Sequence, residues 1–123
     1  PVHCGSAKQY YGVRLLLDAV TDYLPSPADR PPVKGTDPKS KEEVVRKPLE
    51  SEPFSALAFK TVSEKHGDLV FLRIYSGVLR PGDTIWNPTV KKPERISHIY
   101  RLFGDRRDRL ESADAGDIVA VVG

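Results

Sequence analysis

The sequence predicts a mainly β protein: a small antiparallel β-barrel preceded by one helix and a proline-rich linker. Three observations support this fold class in the 123 residues. Helical spacing of apolar residues is confined to residues 13–24, and prolines cluster between Pro25 and Pro53. Beyond Pro53, short segments of alternating apolar residues are separated by turns. We therefore expect three parts, at residues 1–24, 25–52 and 53–123.

Composition excludes several classes of protein. Cys4 is the single cysteine, which excludes an intrachain disulfide and a multi-cysteine metal site. A lone cysteine fits a reduced, intracellular setting, and the expected location is cytoplasmic. No apolar run approaches the roughly 20 residues of a membrane helix, so no membrane partner is expected. The net charge of +2 is too small to indicate a nucleic-acid partner by itself. Because both ends lie in apolar-flavoured sequence, we expect a piece of a longer chain.

The first part combines a strand-like start with a helix. After a small-residue turn, apolar side chains recur at helical spacing, and Pro25 ends the helix because it lacks the amide donor. The stripe consists of Val13, Leu16, Leu17, Val20 and Leu24. The second part, residues 25–52, has the proline and charge content of a connector, with a possible edge strand at residues 44–46.

The third part is built around the strand within residues 67–79. Alternation assigns Val70, Leu72, Ile74 and Val78 to the core face, and the opposite face receives Leu69, Phe71, Arg73 and Tyr75. Proline and glycine predict a type II turn at residues 80–83, and residues 84–86 would be the return strand of a β-hairpin.

Three further strands complete the expected barrel. Residues 54–62 form a first long strand with Leu57 and Phe59 on one face, followed by a polar turn at residues 63–68. A strand near residues 94–103 should contain a bulge or a register change, because Ile96 and Ile99 cannot share a face under strict alternation. Residues 117–122 form the last strand.

The sequence contains no arrangement of residues typical of an enzyme active site. The sequence contains neither a GxxxxGK[ST] phosphate loop nor a GxGxxG fingerprint. His3 and Cys4 would point to opposite faces of a strand, and His66 and His98 have no second ligand nearby in sequence. We expect no independent active site, no catalytic residue, no metal and no cofactor in the chain itself.

A basic segment is a stronger indication of function. Between Lys91 and Arg109 lie seven cations and three anions, and Arg73, Tyr75 and Arg80 could extend the patch. Arginine and tyrosine can contact phosphates and stack on exposed bases. The alternative is a solvated barrel face, with residues 105–109 as a loop whose charges largely neutralise each other. Both interpretations remain open on the residues alone.

Several runs resemble the elongation factor G family of translational GTPases. Residues 1–8, 12–20 and 23–27 are similar to the end of its GTP-binding domain, and residues 52–60, 75–79 and 115–120 are similar to its second domain. The runs occur in the family's order across almost the whole chain. Release-factor-3-type GTPases and ribosomal protection proteins share this architecture, but residues 53–60 favour elongation factor G.

The resemblance implies a translation-factor β-barrel of the domain II type and a set of roles. Ser6, Ala7 and Lys8 would belong to the guanine-recognition motif of the full-length parent, which binds GTP and Mg²⁺ and drives translocation of tRNA and mRNA. The barrel would pack on the GTP-binding domain of the same protein and touch small-subunit ribosomal RNA. The ribosome-contact candidates are Arg73, Tyr75, Ser76, Gly77, Arg80, Lys91, Lys92 and Arg95.

Two departures from the family pattern carry further expectations. The phosphate loop, both switch segments and the Asn-Lys-x-Asp motif are absent, so the chain alone should neither bind GTP usefully nor hydrolyse it. The barrel also stops early, which would leave residues 118–122 without a neighbouring strand and favour an edge-mediated dimer. The alternatives are a free-standing nucleic-acid-binding barrel and a protein-interaction barrel.

Overall fold

Two units make up the chain in the computed structural model, which describes residues 1–64, 67–104 and 106–122. The first unit spans Pro1–Arg30 and the second spans Pro31–Gly123. The first contains the helix, and the second contains all the described strands. No helix in the described ranges is long and apolar enough to cross a membrane.

The first unit consists of a closed loop followed by helix α1, Val13–Tyr23. Ser6 and Tyr11 close the loop, because each donates its backbone N–H to the other's carbonyl, at 3.0 and 3.1 Å. A short 3-10 helix, Ala7–Gln9, lies inside the loop. The prediction of one helix ending before Pro25 is confirmed. The apolar side chains of the helix and of Leu24 just after it are largely exposed; they are Leu15, Leu16, Leu17, Val20, Tyr23 and Leu24.

The proline-rich segment contains a hairpin that the sequence predicted only in part. Strand β2, Glu43–Arg46, includes the expected edge strand, and it pairs with β1, Val33–Thr36, which was not predicted. Asp37 organises the turn between them by accepting the backbone N–H groups of Lys39 at 2.7 Å and Ser40 at 3.0 Å. The hairpin is part of the second unit.

Eleven described strands, all paired antiparallel, confirm the mainly β fold class. Five form the main sheet, in the spatial order β3 (Ser55–Glu64), β4 (Gly67–Ser76), β11 (Ile118–Val122), β8 (His98–Phe103) and β9 (Arg106–Leu110). Two short pairs accompany it, formed by β5 (Val78–Leu79) with β10 (Ala113–Asp114) and by β6 (Thr84–Asn87) with β7 (Lys92–Arg95).

One apolar core unites these strands. Its buried members are Leu72, Ile74, Leu79, Ile96, Ile99, Ala113, Val119 and Val121. The predicted core positions of Leu72 and Ile74 are confirmed, and Val70 packs against the core while partly buried. The assignment of Val78 is wrong, because Leu79 is the buried residue at 1% exposure. Gly77 adopts φ 75°, and this positive φ interrupts the alternation between Ile74 and Leu79.

The turn at residues 80–83 is confirmed, but the hairpin predicted around it is not. Asp83 donates its N–H to the carbonyl of Arg80 at 3.1 Å, and Gly82 supplies a φ of 96°. After this turn, however, β6 pairs with β7, while β5 pairs with β10. The chain therefore changes partner strands at the turn.

The expected irregularity near Ile96 is confirmed. The chain leaves β7 before Ile96 and enters β8 at His98, which lets Ile96 and Ile99 share the core. The prediction of a charged loop at residues 105–109 is wrong for residues 106–109, since Arg106–Leu110 is strand β9. Asp105 and His66 lie outside the described residues.

The last strand has a neighbour on both sides, contrary to prediction. Ala120 of β11 is paired with Phe71 of β4 and with Tyr100 of β8, so β11 lies inside the sheet. The outermost strands are β3 and β9. The predicted free edge at residues 118–122 is therefore wrong, and the reason given for a dimer disappears with it.

Candidate nucleic-acid interface

Arg73 and Tyr75 lie on β4, on the side of the main sheet opposite the core. Arg73 stands between Leu57 of β3 and Ile118 of β11, and each of these neighbours is 52% exposed. The Nε of Arg73 is buried and has no hydrogen-bond partner among the described residues. The guanidinium therefore sits in apolar surroundings with one donor unused.

Aromatic rings continue this side of the sheet. The Phe59 and Phe71 ring centroids are 6.3 Å apart, and the Lys60 Nζ lies 5.3 Å from the Phe71 centroid. On β8, His98 stacks on Tyr100 with centroids 6.0 Å apart. We call the surface formed by Leu57, Phe71, Arg73, Tyr100 and Ile118 the outer sheet face.

Ser76, the last residue of β4, and Gly77, which follows it, are both buried. The Ser76 side chain is 0% exposed, and its hydroxyl donates to the Pro53 carbonyl at 2.7 Å. Gly77 donates its N–H to the Leu49 carbonyl at 3.0 Å, and a Cβ there would lie 2.7 Å from backbone atoms of residues 52 and 54. Both residues anchor residues 49–54 to the barrel, and their role in contacting the ribosome stays a prediction.

Arg80 occupies the turn that follows β5. Its backbone N–H donates to the Asp83 Oδ2 at 2.7 Å, and the residue is exposed. The backbone contact fixes the turn and leaves the guanidinium facing solvent. Arg80 is thus available to a partner, as predicted from the sequence, although the role itself stays a prediction.

Lys91, Lys92 and Arg95 lie together on the two-stranded β6–β7 hairpin, residues 84–95. All three are exposed. Lys92 is opposite Asn87 and Arg95 is opposite Thr84, while Lys91 adopts φ 56° in the connecting turn. The structure therefore places the predicted cations on one small ribbon, separate from the outer sheet face.

The β6–β7 hairpin also carries an exposed aromatic residue that the sequence analysis missed. Trp86 is opposite Pro93 and 53% exposed. Glu94, the single carboxylate in the hairpin, accepts a hydrogen bond from the Asn87 Nδ2 at 3.0 Å. The sequence carries no signal that separates Trp86 from a core residue, because its neighbour Ile85 is equally apolar and it is Ile85 that packs against the core.

The Ser6, Ala7 and Lys8 candidates lie in the closed loop of the first unit. Ser6 is half-buried because its backbone forms the bridge to Tyr11, whereas Ala7 and Lys8 are exposed at the start of the 3-10 helix. The loop thus holds these two residues outward. Their role in guanine recognition stays a prediction.

Among the described residues, no three His, Cys, Asp or Glu side chains group as they would around a metal ion. His3 and Cys4 are both exposed in the N-terminal segment.

Comparison with known proteins places this architecture in a family. Residues 53–123 match the family described as elongation factor G domain 2. The chain is 47% identical over 123 residues to "Elongation factor G 2" of Syntrophus aciditrophicus and 50% identical over 124 residues to "Elongation factor G" of Dehalococcoides mccartyi. Both matches cover 100% of this chain but only 18% of the relative. The chain therefore belongs to the elongation factor G family, and residues 53–123 are its domain 2.

Proposed function

We propose that the chain is a non-catalytic part of a cytoplasmic ribosomal translocase, and that its barrel docks on small-subunit ribosomal RNA through the β6–β7 hairpin. The observation that carries this proposal is the charge arrangement of that hairpin. Lys91, Lys92 and Arg95 are exposed, and the nearby carboxylate of Glu94 is bonded to Asn87. The hairpin carries three cations against one carboxylate, so its net charge is positive.

The physical role of such a ribbon is to contact phosphates. Lysine and arginine side chains displace condensed counterions from the RNA backbone, which supplies affinity independent of sequence. Ile85 packs against the core from the same hairpin, so the cations stand on an anchored support. An anchored ribbon loses less conformational entropy on binding than a free loop would.

The remaining family functions are assigned to other parts of the parent. GTP and Mg²⁺ would be held by a phosphate loop and switch segments, and the sequence of this chain contains no GxxxxGK[ST] motif. Ser6, Ala7 and Lys8 would complete the guanine site from the closed loop of the first unit. The chain itself would supply docking and not hydrolysis.

A second candidate function concerns the outer sheet face. Arg73 lies between the exposed apolar side chains of Leu57 and Ile118, and its buried Nε lacks an acceptor. Apolar neighbours suit a protein surface better than a phosphate backbone. We propose that this face packs on the GTP-binding domain of the parent, which would supply the missing acceptor.

RNA docking is tested by filter binding of the chain to small-subunit ribosomal RNA between about 50 and 200 mM salt. The variant Lys91→Gln/Lys92→Gln/Arg95→Gln should bind more weakly and show a flatter dependence of log affinity on log salt, by roughly two units. The matched control is Lys39→Gln/Lys41→Gln/Lys47→Gln, which removes the same charge from exposed positions in the linker. Equal losses in the two variants would reject the hairpin as the docking element.

A further inference from the structure

We propose that Trp86 is a base-stacking residue: its indole receives one unstacked base of a single-stranded or looped RNA, while Arg95 holds an adjoining phosphate. The inference rests on the proposed RNA docking and adds the structural class of RNA that the hairpin selects. It assigns a role to the single tryptophan of the chain.

The register of the β6–β7 hairpin determines which side chains surround the indole. Trp86 is opposite Pro93, and the next pair on the same face is Thr84 with Arg95. Ile85 points to the other face, where it packs against the core. Since neighbouring residues in a strand point to opposite faces, Trp86 must face away from the core, which agrees with its 53% exposure.

The support beneath the indole is stiff. The ring of Pro93 fixes the backbone φ directly opposite Trp86. At the far end of the hairpin, Asn87 Oδ1 accepts the backbone N–H of Thr89 at 2.9 Å and orders the turn. A pre-ordered aromatic platform loses little entropy when a base stacks on it.

The charges around the indole favour nucleic acid as the occupant. Arg95 shares its face, whereas Glu94 lies on the Ile85 face and is engaged by Asn87. On the face of the exposed ring the hairpin therefore places one cation, Arg95, and no carboxylate. An aromatic ring beside a cation combines base stacking with phosphate contact, as in sequence-tolerant binding of single strands. A duplex offers no unstacked base, so it could use only the cations.

Intrinsic fluorescence tests the proposal directly because Trp86 is the only tryptophan. Titration of the chain with an RNA stem-loop should quench the emission saturably, whereas a blunt RNA duplex of the same stem and a heparin fragment should not. By filter binding, Trp86→Ala should weaken stem-loop affinity about tenfold and leave duplex affinity unchanged, and Trp86→Phe should retain most of the affinity. Phe103→Ala is the matched control, since Phe103 is 58% exposed on β8 of the main sheet.

The outcomes separate this inference from the docking proposal. If Trp86→Ala binds the stem-loop as tightly as the original chain, stacking by Trp86 is refuted and docking by the cations stands. Equal losses on stem-loop and duplex would also overturn the inference, because they indicate a structural effect. If the original chain binds neither RNA at low salt, both proposals are rejected.

Discussion

The hydroxyl oxygens of Ser55 and Ser76 lie 2.6 Å apart, and solvent does not reach the Ser76 side chain. Because the Ser76 hydroxyl donates its proton to the Pro53 carbonyl, the Ser55 hydroxyl is the donor between the two serines. This chain of two hydrogen bonds joins the start of β3 to the end of β4. It fixes where residues before the barrel enter it.

Replacing Ser76 with alanine should lower the free energy of unfolding by about 2 kcal/mol, because the Pro53 carbonyl and the Ser55 hydroxyl both lose a partner in a partly buried place. Urea denaturation measures the change. Ser63→Ala, at an exposed position of β3, should alter stability by less than about 0.5 kcal/mol. Equal stability of Ser76→Ala and the original chain would contradict the hydrogen-bond network.

Gly77 and Gly82 provide a matched pair for separating backbone strain from steric conflict. Both have positive φ, at 75° and 96°, but a Cβ at Gly77 would lie 2.7 Å from backbone atoms, whereas none would lie within 4 Å at Gly82. Gly82→Ala should cost about 1 kcal/mol of stability from the left-handed backbone alone. Gly77→Ala should cost about 3 kcal/mol or more, because residues 52–54 must also move. Similar midpoints in thermal unfolding would refute the close approach at Gly77.

The sequence predicted those features of the fold that depend on local periodicity. Leu72 and Ile74 were assigned to the core because alternation survives along β4, and both are buried. The same rule failed one step past Gly77, since its positive φ shifts the phase and buries Leu79 in place of Val78. A phase shift of this kind depends on where the chain must turn to meet residues 49–54, which periodicity does not encode.

Long-range pairing was the part of the fold that the sequence did not determine. Strand β5 pairs with β10, more than thirty residues later, although β6 follows it after a tight turn. Strand β11 lies between β4 and β8 instead of at an edge. Which strands pair depends on closing one common core around Ile74 and Val119. The sequence does not reveal this pairing, because both residues are apolar whichever strand lies beside them.

The residues of the candidate site also fall into those that the sequence predicted and those that it did not. Exposed cations are recognisable from composition, and Lys91, Lys92 and Arg95 are indeed at the surface. Ser76 and Gly77 entered the set through resemblance, but the structure buries both. Trp86 was overlooked because an aromatic residue within an apolar strand is usually a core residue. Only its register opposite Pro93, with Ile85 taking the core side, shows that it faces outward.

Arg73 and Arg101 should respond oppositely to substitution by methionine. Arg73→Met keeps the apolar packing between Leu57 and Ile118 and removes the buried Nε, so the free energy of unfolding should rise by about 1 kcal/mol. Arg101→Met breaks a 3.2 Å ion pair with Asp117 that is partly exposed, and stability should fall by up to about 1 kcal/mol. Urea unfolding at neutral pH compares the two. A loss of stability in Arg73→Met would show that the guanidinium has an acceptor.

The turn between β1 and β2 should be sensitive to acid. The backbone N–H groups of Ser40 and Lys39, which the Asp37 carboxylate accepts, hold the pKa of Asp37 below its usual value of 3.8. A group whose pKa is lower in the folded state stabilises the fold above its unfolded pKa, and that contribution is lost as the pH falls through the folded pKa. We expect the turn to be intact at pH 5 and to loosen only below pH 3.8.

The amide signals of Lys39 and Ser40 in two-dimensional NMR spectra report this titration. Protonation of Asp37 weakens the hydrogen bonds that the two backbone N–H groups donate to its carboxylate at 2.7 and 3.0 Å. Their common midpoint should lie below pH 3.8. Asp37→Asn keeps an acceptor oxygen without an ionisable group, so both amide shifts should become independent of pH in this range. A midpoint at or above 3.8 in the original chain, or an unchanged titration in Asp37→Asn, would show that another group controls the turn.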